Sequence, residues 1–580
     1  GMNGTLSGHY ALGANVNAST TASWNASAGF DPIGDGTSKF TGAFDGLGHV
    51  ITGLTINRPL EDDVGLFGAA NGVTISNIGL TGGSIMGRQT VGGLAGHMIS
   101  STISNSYATG AVNGGYAVGG LVGVVGYNTT ITKSYATGDV TGDGGSRQYI
   151  GGLVGVSAYN STITNSYATG DVVGISQIGG LVGGILSTSR ASVINSHAKG
   201  AVTGNRNIGG LVGYSNVADI TNSYATGDVA GDLRVGGLVG YSNADITNSY
   251  ATGDVAGTED SGGLVGNATD NTTITKSYAT GDVAGDLRVG GLVGHGYGAR
   301  ITNTYATGDV AGAYRVGGLV GYSNAIITNS YATGDVAGTE DSGGLVGASV
   351  RAVTDSFWDT ETTGQSSSSG GGLGLTTSEM KSMSSFNNWD ISAKGGESKI
   401  WRIYEGVSAP LLRSFMQEVS VSGTRDYDGT TSAASLGANF SETVTGINLT
   451  LTPTSGQFAS ANVGTNIGIT ASYSATSSES LPSVFQRYDF VDHNITGTIT
   501  PKALTATATA ANKAYDGNVT ASSILALSGF IGTETVTTSG VGSTFNTKDV
   551  ETASTVTINS STLVNGTNGG LAANYSLATG

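Results

Sequence analysis

The chain has 580 residues, a formal net charge of −17, 98 glycines, 11% charged residues and no cysteine. The acidic balance argues against a nucleic-acid partner, and the missing cysteine excludes a disulfide framework and thiolate chemistry. No apolar run approaches the ~18 residues of a membrane helix, so membrane insertion is not expected.

From the N-terminus, Gly1 before Met2 reads as a cleavage scar, and the chain as a piece of a longer protein whose targeting signals lie outside it. Residues 1–48, with Trp24, Phe30, Phe40 and Phe44, read as an N-terminal cap. Such a cap is needed because the open end of a strand stack invites pairing with other chains.

Residues 49–358 repeat. An aliphatic residue recurs at Ile51, Ile75, Ile103, Ile131, Ile163, Val193, Ile220, Ile246, Ile274, Ile301, Ile327 and Val353, mostly 26 to 28 positions apart, and GGLVG tracks it. SYATGDVAGDLRVGGLVG occurs letter for letter at 223–240 and 277–294. Each unit holds short β-prone runs separated by Gly, Asn and Asp, without helical periodicity. The pattern predicts an all-β fold: a right-handed parallel β-helix of about 12 coils, one per unit. At ~4.8 Å per coil its length is about 55–60 Å.

Side-chain directions follow. Asn222 marks a corner, and its equivalents Asn105, Asn165, Asn195, Asn248, Asn303 and Asn329 are expected to stack as an amide ladder. Alternation then sends Ala225, Gly227 and Val229 inward, and Tyr224, Thr226 and Asp228 outward. In the earliest units Leu80 and Ile56 fall at the Ala225 position and Gly79 at the Tyr224 position. The glycine pairs suit tight bends and close approach between coils. No GxxxxGK[ST] is present to make them a phosphate cradle.

Two outward rows are candidate sites. The first is Tyr107, Tyr135, Tyr167, Tyr224, Tyr250, Tyr278, Tyr305 and Tyr331, either a sugar-docking face or rings stacked on one another. The second runs Asp139, Asp171, Asp228, Asp254, Asp282, Asp309 and Asp335, of which the last five are the candidate calcium ligands. Like charges at strand spacing repel unless cations or solvent intervene. From Asp232 the coil tips read DLR, TED, DLR, AYR, TED. That order predicts exposed ion pairs between Arg234 or Arg288 and Glu259 or Asp260, and between Arg315 and Glu340.

Residues 359–416, with Phe386, Trp389, Trp401 and Tyr404, read as a C-terminal cap containing a flexible run at 365–372. Beyond it the composition shifts to Thr, Ser, Ala and Val. Two similar segments, 417–501 and 502–580, carry an aromatic Asp-Gly turn at Tyr427 and Tyr515 and are expected to be small antiparallel, sandwich-like β-domains, the second truncated by one strand.

The reiterated GGLVG with SYATG resembles the GLUG repeats of large bacterial exoproteins. The opening GHYALGANVNASTTASWNASAGFDPIGD…FTGAFDGLGHVITGLTINRP…VGLFG resembles the segment after the secretion domain in filamentous-haemagglutinin-type proteins. SFWDTETTGQSSSSGGGLGLTTSEMK and WRIYEGVSAPLLR resemble the segment closing such helices, and the tail resembles YDG or MBG repeats. The resemblance implies two-partner secretion through an outer-membrane transporter and a secreted or bacterial cell-surface location. It also implies adhesion or biofilm roles, with surface or matrix glycans or a host or neighbour-cell receptor as partner. The rod is expected to be monomeric.

GLUG repeats also occur in zinc-dependent immunoglobulin-A peptidases, but no HExxH stands here and the six histidines are scattered. Polysaccharide lyases and glycosidases share the β-helix scaffold, yet every coil offers the same Asp and no coil gathers an acid, a base and an Arg. The sequence therefore reads as a non-enzymatic adhesive rod; the alternative is a carbohydrate-binding or carbohydrate-active β-helix.

Overall fold

The computed structural model describes residues 2–145, 147–186, 191–419, 423–433, 441–444, 447–477, 485–490 and 495–577. Gly1, the expected scar, and residues 578–580, the end of the second tail segment, lie outside them. Contacts divide the chain into two units, Gly1–Asp390 and Ile391–Gly580.

The first unit is a parallel β-solenoid of about 11 turns, built from one 33-stranded and one 19-stranded sheet. One coil shows the plan: strands Ala218–Thr221, Tyr224–Ala225, Val229–Ala230, Leu233–Gly236 and Val239–Ser242 follow one another around the axis. Each pairs in parallel with its counterpart in the next coil, Ile220 on Ile246, Ala225 on Ala251, Val229 on Val255 and Val239 on Val265. Those residues and Leu238 are at most 1% exposed and stack into one continuous core. Matching letters are thus spatial neighbours, as the period requires.

The corner falls at Asn222, where φ is 50°, and all its Asn equivalents take φ of 48–54°. Asn tolerates this left-handed conformation best among residues with a side chain. The ladder inside the corner belongs to the adjacent serines. Ser223 N–H donates to Ser249 Oγ, and Ser249 N–H to Ser277 Oγ, both at 3.2 Å. Each hydroxyl in turn donates 2.9 Å to a carbonyl two residues back. The expected amide stack is seen as a bond from Asn105 to Asn77, with Lys133 and Lys276 interrupting the row.

The early coils differ from expectation. Ile51 pairs with Leu80, which pairs with Ala108, so Ile51 sits in the alanine row. Ile56 pairs with Ile85 and belongs to the row of Val229, while Phe44 continues the row of Ile75. Phe44 and Ile75 are 31 positions apart, so counting back at the regular period lands on the wrong strand.

Both ends of the solenoid are closed by aromatic side chains. Phe40, Phe44 and Phe67 cluster at one end, with ring centroids 5.0–5.4 Å apart. At the other, Trp358 pairs over Ala332 and Phe357 over Tyr331, with Phe386 and Trp389 packed against Phe357. The run 365–372, expected to be flexible, forms a further partial coil. Gly344 N–H donates to Ser367 O, Ser369 N–H donates to Val346 O, and Gly371–Leu375 pairs with Val353–Asp359. Serine supplies bonds here that a linker would leave to water.

The segment expected as one cap, 359–416, is shared between the units. In the second unit Trp401 is fully buried, and Arg402 Nε lies 3.0 Å from Asp489 Oδ1. The two tail segments combine antiparallel hairpins with parallel pairings of early and late strands, such as Gly423–Asp426 on Ile495–Thr500 and Lys502–Leu504 on Tyr575–Leu577. The expected antiparallel pairing is present in the hairpins, and the parallel pairs are added to it.

Candidate functional site

The tyrosine row is a stack. From Tyr107 through Tyr135, Tyr167, His197, Tyr224, Tyr250, Tyr278 and Tyr305 to Tyr331, neighbouring ring centroids lie 4.6–5.1 Å apart with planes within 7° of parallel. The strand spacing of ~4.8 Å sets this distance. Each ring turns its faces to the coils above and below, so neighbouring rings cover one another's faces along the row. The row is half-buried from Tyr107 to Tyr278. Tyr305 and Tyr331 are 9% and 2% exposed, which removes them from the expected outward face; Trp389 packs beside Tyr331. Burial pushes the Tyr250 phenol up to about 12 and those of Tyr278, Tyr305 and Tyr331 higher still.

The aspartates stand exposed immediately before the Val229-type strands. Each accepts the N–H of the corresponding residue one coil on: Asp254 N–H to Asp228 Oδ1, Asp282 to Asp254, Asp309 to Asp282 and Asp335 to Asp309, at 2.8–3.0 Å. Asp171 N–H reaches Asp139 Oδ1 in the same way. One carboxylate oxygen therefore completes the coil-to-coil bonding. The five aspartates from Asp228 to Asp335 and the exposed alanine row beside them line a groove of about 520 Å³. Among the described residues no three His, Asp or Glu side chains are grouped so as to hold a metal ion.

The Arg–acid cluster is more buried than its sequence suggests. Asp260 is 2% exposed, and Arg288 pairs with both Asp260 and Glu259. Arg234 Nε approaches Asp260 at 3.9 Å from the other side. Asn267 donates to Asp260 Oδ2 at 2.9 Å, and His295 Nδ1 stands 3.7 Å from Oδ1. Burial alone would raise the Asp260 pKa, but these hydrogen bonds and the Arg288 charge outweigh it and hold the carboxyl below the usual range. Arg315 approaches Asp341, at 3.9 Å, where Glu340 was expected. Asp260, Arg288, Arg315 and Asp341 all have positive φ, so the tip residues that meet are those one position past the strand pair Leu233–Glu259.

Sequence reasoning missed the row Tyr214, Tyr241, Asn267, His295, Tyr322, which runs in register beside this cluster. Its signal was the variable residue directly after each GGLVG. Arg234 lies over the Tyr241 ring at 5.1 Å and Arg315 over Tyr322 at 4.6 Å.

Fold and rows together define an all-β repeat solenoid with small β-domains appended, in which each side-chain row is reiterated coil by coil. The chain carries GLUG motifs at 87–113, 114–141, 146–173, 204–230, 231–256, 257–284, 285–311 and 312–337, and YDG domains at 416–480 and 500–580. Over 96 residues it is 43% identical to halomucin of Haloquadratum walsbyi, which covers 16% of this chain and 1% of that far longer protein. Among solved structures it is similar to a Bacteroides ovatus protein described as a candidate immunoglobulin A1 protease, with TM-score 0.32, 22% identity, and 38% of this chain and 70% of that one covered. It is also similar to an IgA1 protease, with TM-score 0.29, 18% identity, and 43% of this chain and 20% of that one covered. No helix among the described residues is long and apolar enough to cross a membrane.

Proposed function

We propose that this chain is a structural and adhesive segment of a large secreted surface protein, holding a repetitive face toward glycans of a matrix or a neighbouring cell. One observation carries the reading: the same tyrosine and aspartate recur in coil after coil, so the surface repeats one set of contacts many times. The GLUG and YDG repeats and the halomucin likeness support a structural surface role. Export by two-partner secretion through an outer-membrane transporter, and a part in biofilm, belong to the same proposal, as does cation bridging of the aspartate row by calcium.

Ring faces in the stack are occupied by each other, so docking falls to the phenol hydroxyls of Tyr107 to Tyr224, spaced for an extended polymer. The test is retention of the full chain on immobilised extracellular polysaccharide, with released sugar assayed in parallel. Changing Tyr135, Tyr167 and Tyr224 together to Phe keeps the rings and removes the hydroxyls. Retention should fall at least about tenfold, roughly 0.5 kcal/mol per lost hydrogen bond, while the melting profile stays close to wild type. Equal retention by the variant defeats the hydroxyl reading, and release of reducing ends or unsaturated sugars would install the carbohydrate-active alternative.

A further inference from the structure

The two aromatic Asp-Gly turns of the second unit are built alike and covered differently. In both, a basic residue pairs with the aspartate three positions on, Arg425 with Asp428 and Lys513 with Asp516. In both, the aspartate Oδ1 accepts an N–H two residues later, from Thr430 at 2.9 Å and from Asn518 at 3.1 Å. The glycines match too, with φ of 76° at Gly429 and 80° at Gly517. Yet Tyr427 is 4% exposed and Tyr515 is 63% exposed.

What covers Tyr427 is the other YDG domain. Its hydroxyl donates to Glu534 Oε1 at 2.8 Å, while Tyr575 donates to Oε2 of the same carboxylate at 2.7 Å. The two rings meet edge to face, 5.5 Å apart, and Ile531 sits against Gly429. The joint is set up by a short covalent path. Tyr427 N–H donates to Thr500 O, and the strand ending at Thr500 passes through Pro501 directly into Lys502–Ala510. Around Tyr515 residues 511–516 belong to no strand, and a methyl added at Gly517 would meet nothing within 4 Å.

We propose that Tyr515 is the plug of a second such joint, and that its partner is a further YDG-type domain presenting a carboxylate and a tyrosine as Glu534 and Tyr575 do here. Each repeat carries both halves in its sequence: TETV and NYS around Glu534 and Tyr575 recur as SETV and RYD around Glu442 and Tyr488. Docking is therefore directional, the turn of one domain entering the Glu–Tyr face of the next. This goes beyond adhesion and stands independently of it.

The experiment lengthens the full chain by appending a copy of its own residues 494–577 after Gly580. That reproduces the four-residue spacing between Phe490 and Ile495. Nitration of individual tyrosines by tetranitromethane is followed by peptide mapping, with Tyr427 as the internal standard. In the lengthened chain Tyr515 should react at least about tenfold more slowly than in the original, as expected of a group exposed only by local opening. Glu534→Ala in the appended copy should restore its reactivity. In the unextended chain, Glu534→Ala should raise Tyr427 toward the rate of Tyr515. The proposal is overturned if Tyr515 reacts equally fast with a folded domain appended, or if Tyr427 stays slow without Glu534. It is also overturned if the appended domain gains no amide-exchange protection, since the joint needs only sequence already in the chain.

Discussion

A methyl group at Gly237 would sit 2.1 Å from the Gly263 carbonyl oxygen of the next coil and 2.9 Å from the Ala251 Cβ. Neither partner is a flexible side-chain tip, so the coils themselves would have to separate. Gly237 has no positive φ; its need for glycine is approach alone. At Gly126 the same methyl meets nothing within 4 Å. Gly237→Ala should therefore lower stability by about 3 kcal/mol, the upper end for overpacking. Gly126→Ala should stay within about 0.5 kcal/mol of wild type. Urea unfolding of the two variants checks this, and equal midpoints would refute the approach argument. By contrast, the aromatic row asks only for a flat ring. His197 takes a tyrosine position at 5.0 and 4.6 Å from its neighbours, and burial together with Lys199 lowers its pKa, favouring the neutral ring.

A coil's tip gains meaning from the tips on either side. Asp260 lies between Arg234 and Arg288 because a TED coil follows one DLR coil and precedes another. Since Asp260 is buried, removing its charge leaves Arg288 poorly compensated. Asp260→Asn should cost about 3 kcal/mol at pH 7, as for a broken buried pair. Its folded pKa is depressed, so the stabilisation is present above the unfolded value near 4 and is lost as pH falls through the folded value. The gap between wild type and variant should accordingly narrow in urea titrations carried from pH 7 down toward pH 3. A constant gap would show that packing, not charge, sets the cost. This cluster also marks how far the sequence could be read. Which tips alternate was visible in the letters, because parallel stacking turns sequence period into contact. Their burial was not, because it depends on Tyr241, Asn267, His295 and Tyr322 in the next strand leaning over the tip, a relation across a corner that periodicity does not encode. The serine ladder escaped for a similar reason: Asn and Ser repeat together, and only the backbone angle at the corner decides which one faces the neighbouring coil. The Asp row was placed correctly as exposed, but its bond to the next backbone N–H is a matter of rotamer.

The whole solenoid behaves as a stack of interchangeable parts, and its length is set by copy number. NSYATGDVAGTEDSGGLVG occurs at Asn248 and again at Asn329, 81 positions on. Excising residues 258–338 joins Gly257 to Thr339 and restores an unbroken copy, with three coils removed. Asp341 then lies beside Arg234 as it now lies beside Arg315, and the Phe357–Phe386–Trp389 closure is untouched. Nearest-neighbour energetics predict a folded solenoid shorter by about 14 Å, with somewhat reduced stability and cooperative unfolding retained. Excising residues 258–298, half that length, brings unlike strands of the coil into line and misdirects the buried face. The first variant should keep the wild-type far-ultraviolet circular dichroism per residue and a sharp melt, and the second should lose both. If the two deletions behave alike, coil register is not what holds this protein together.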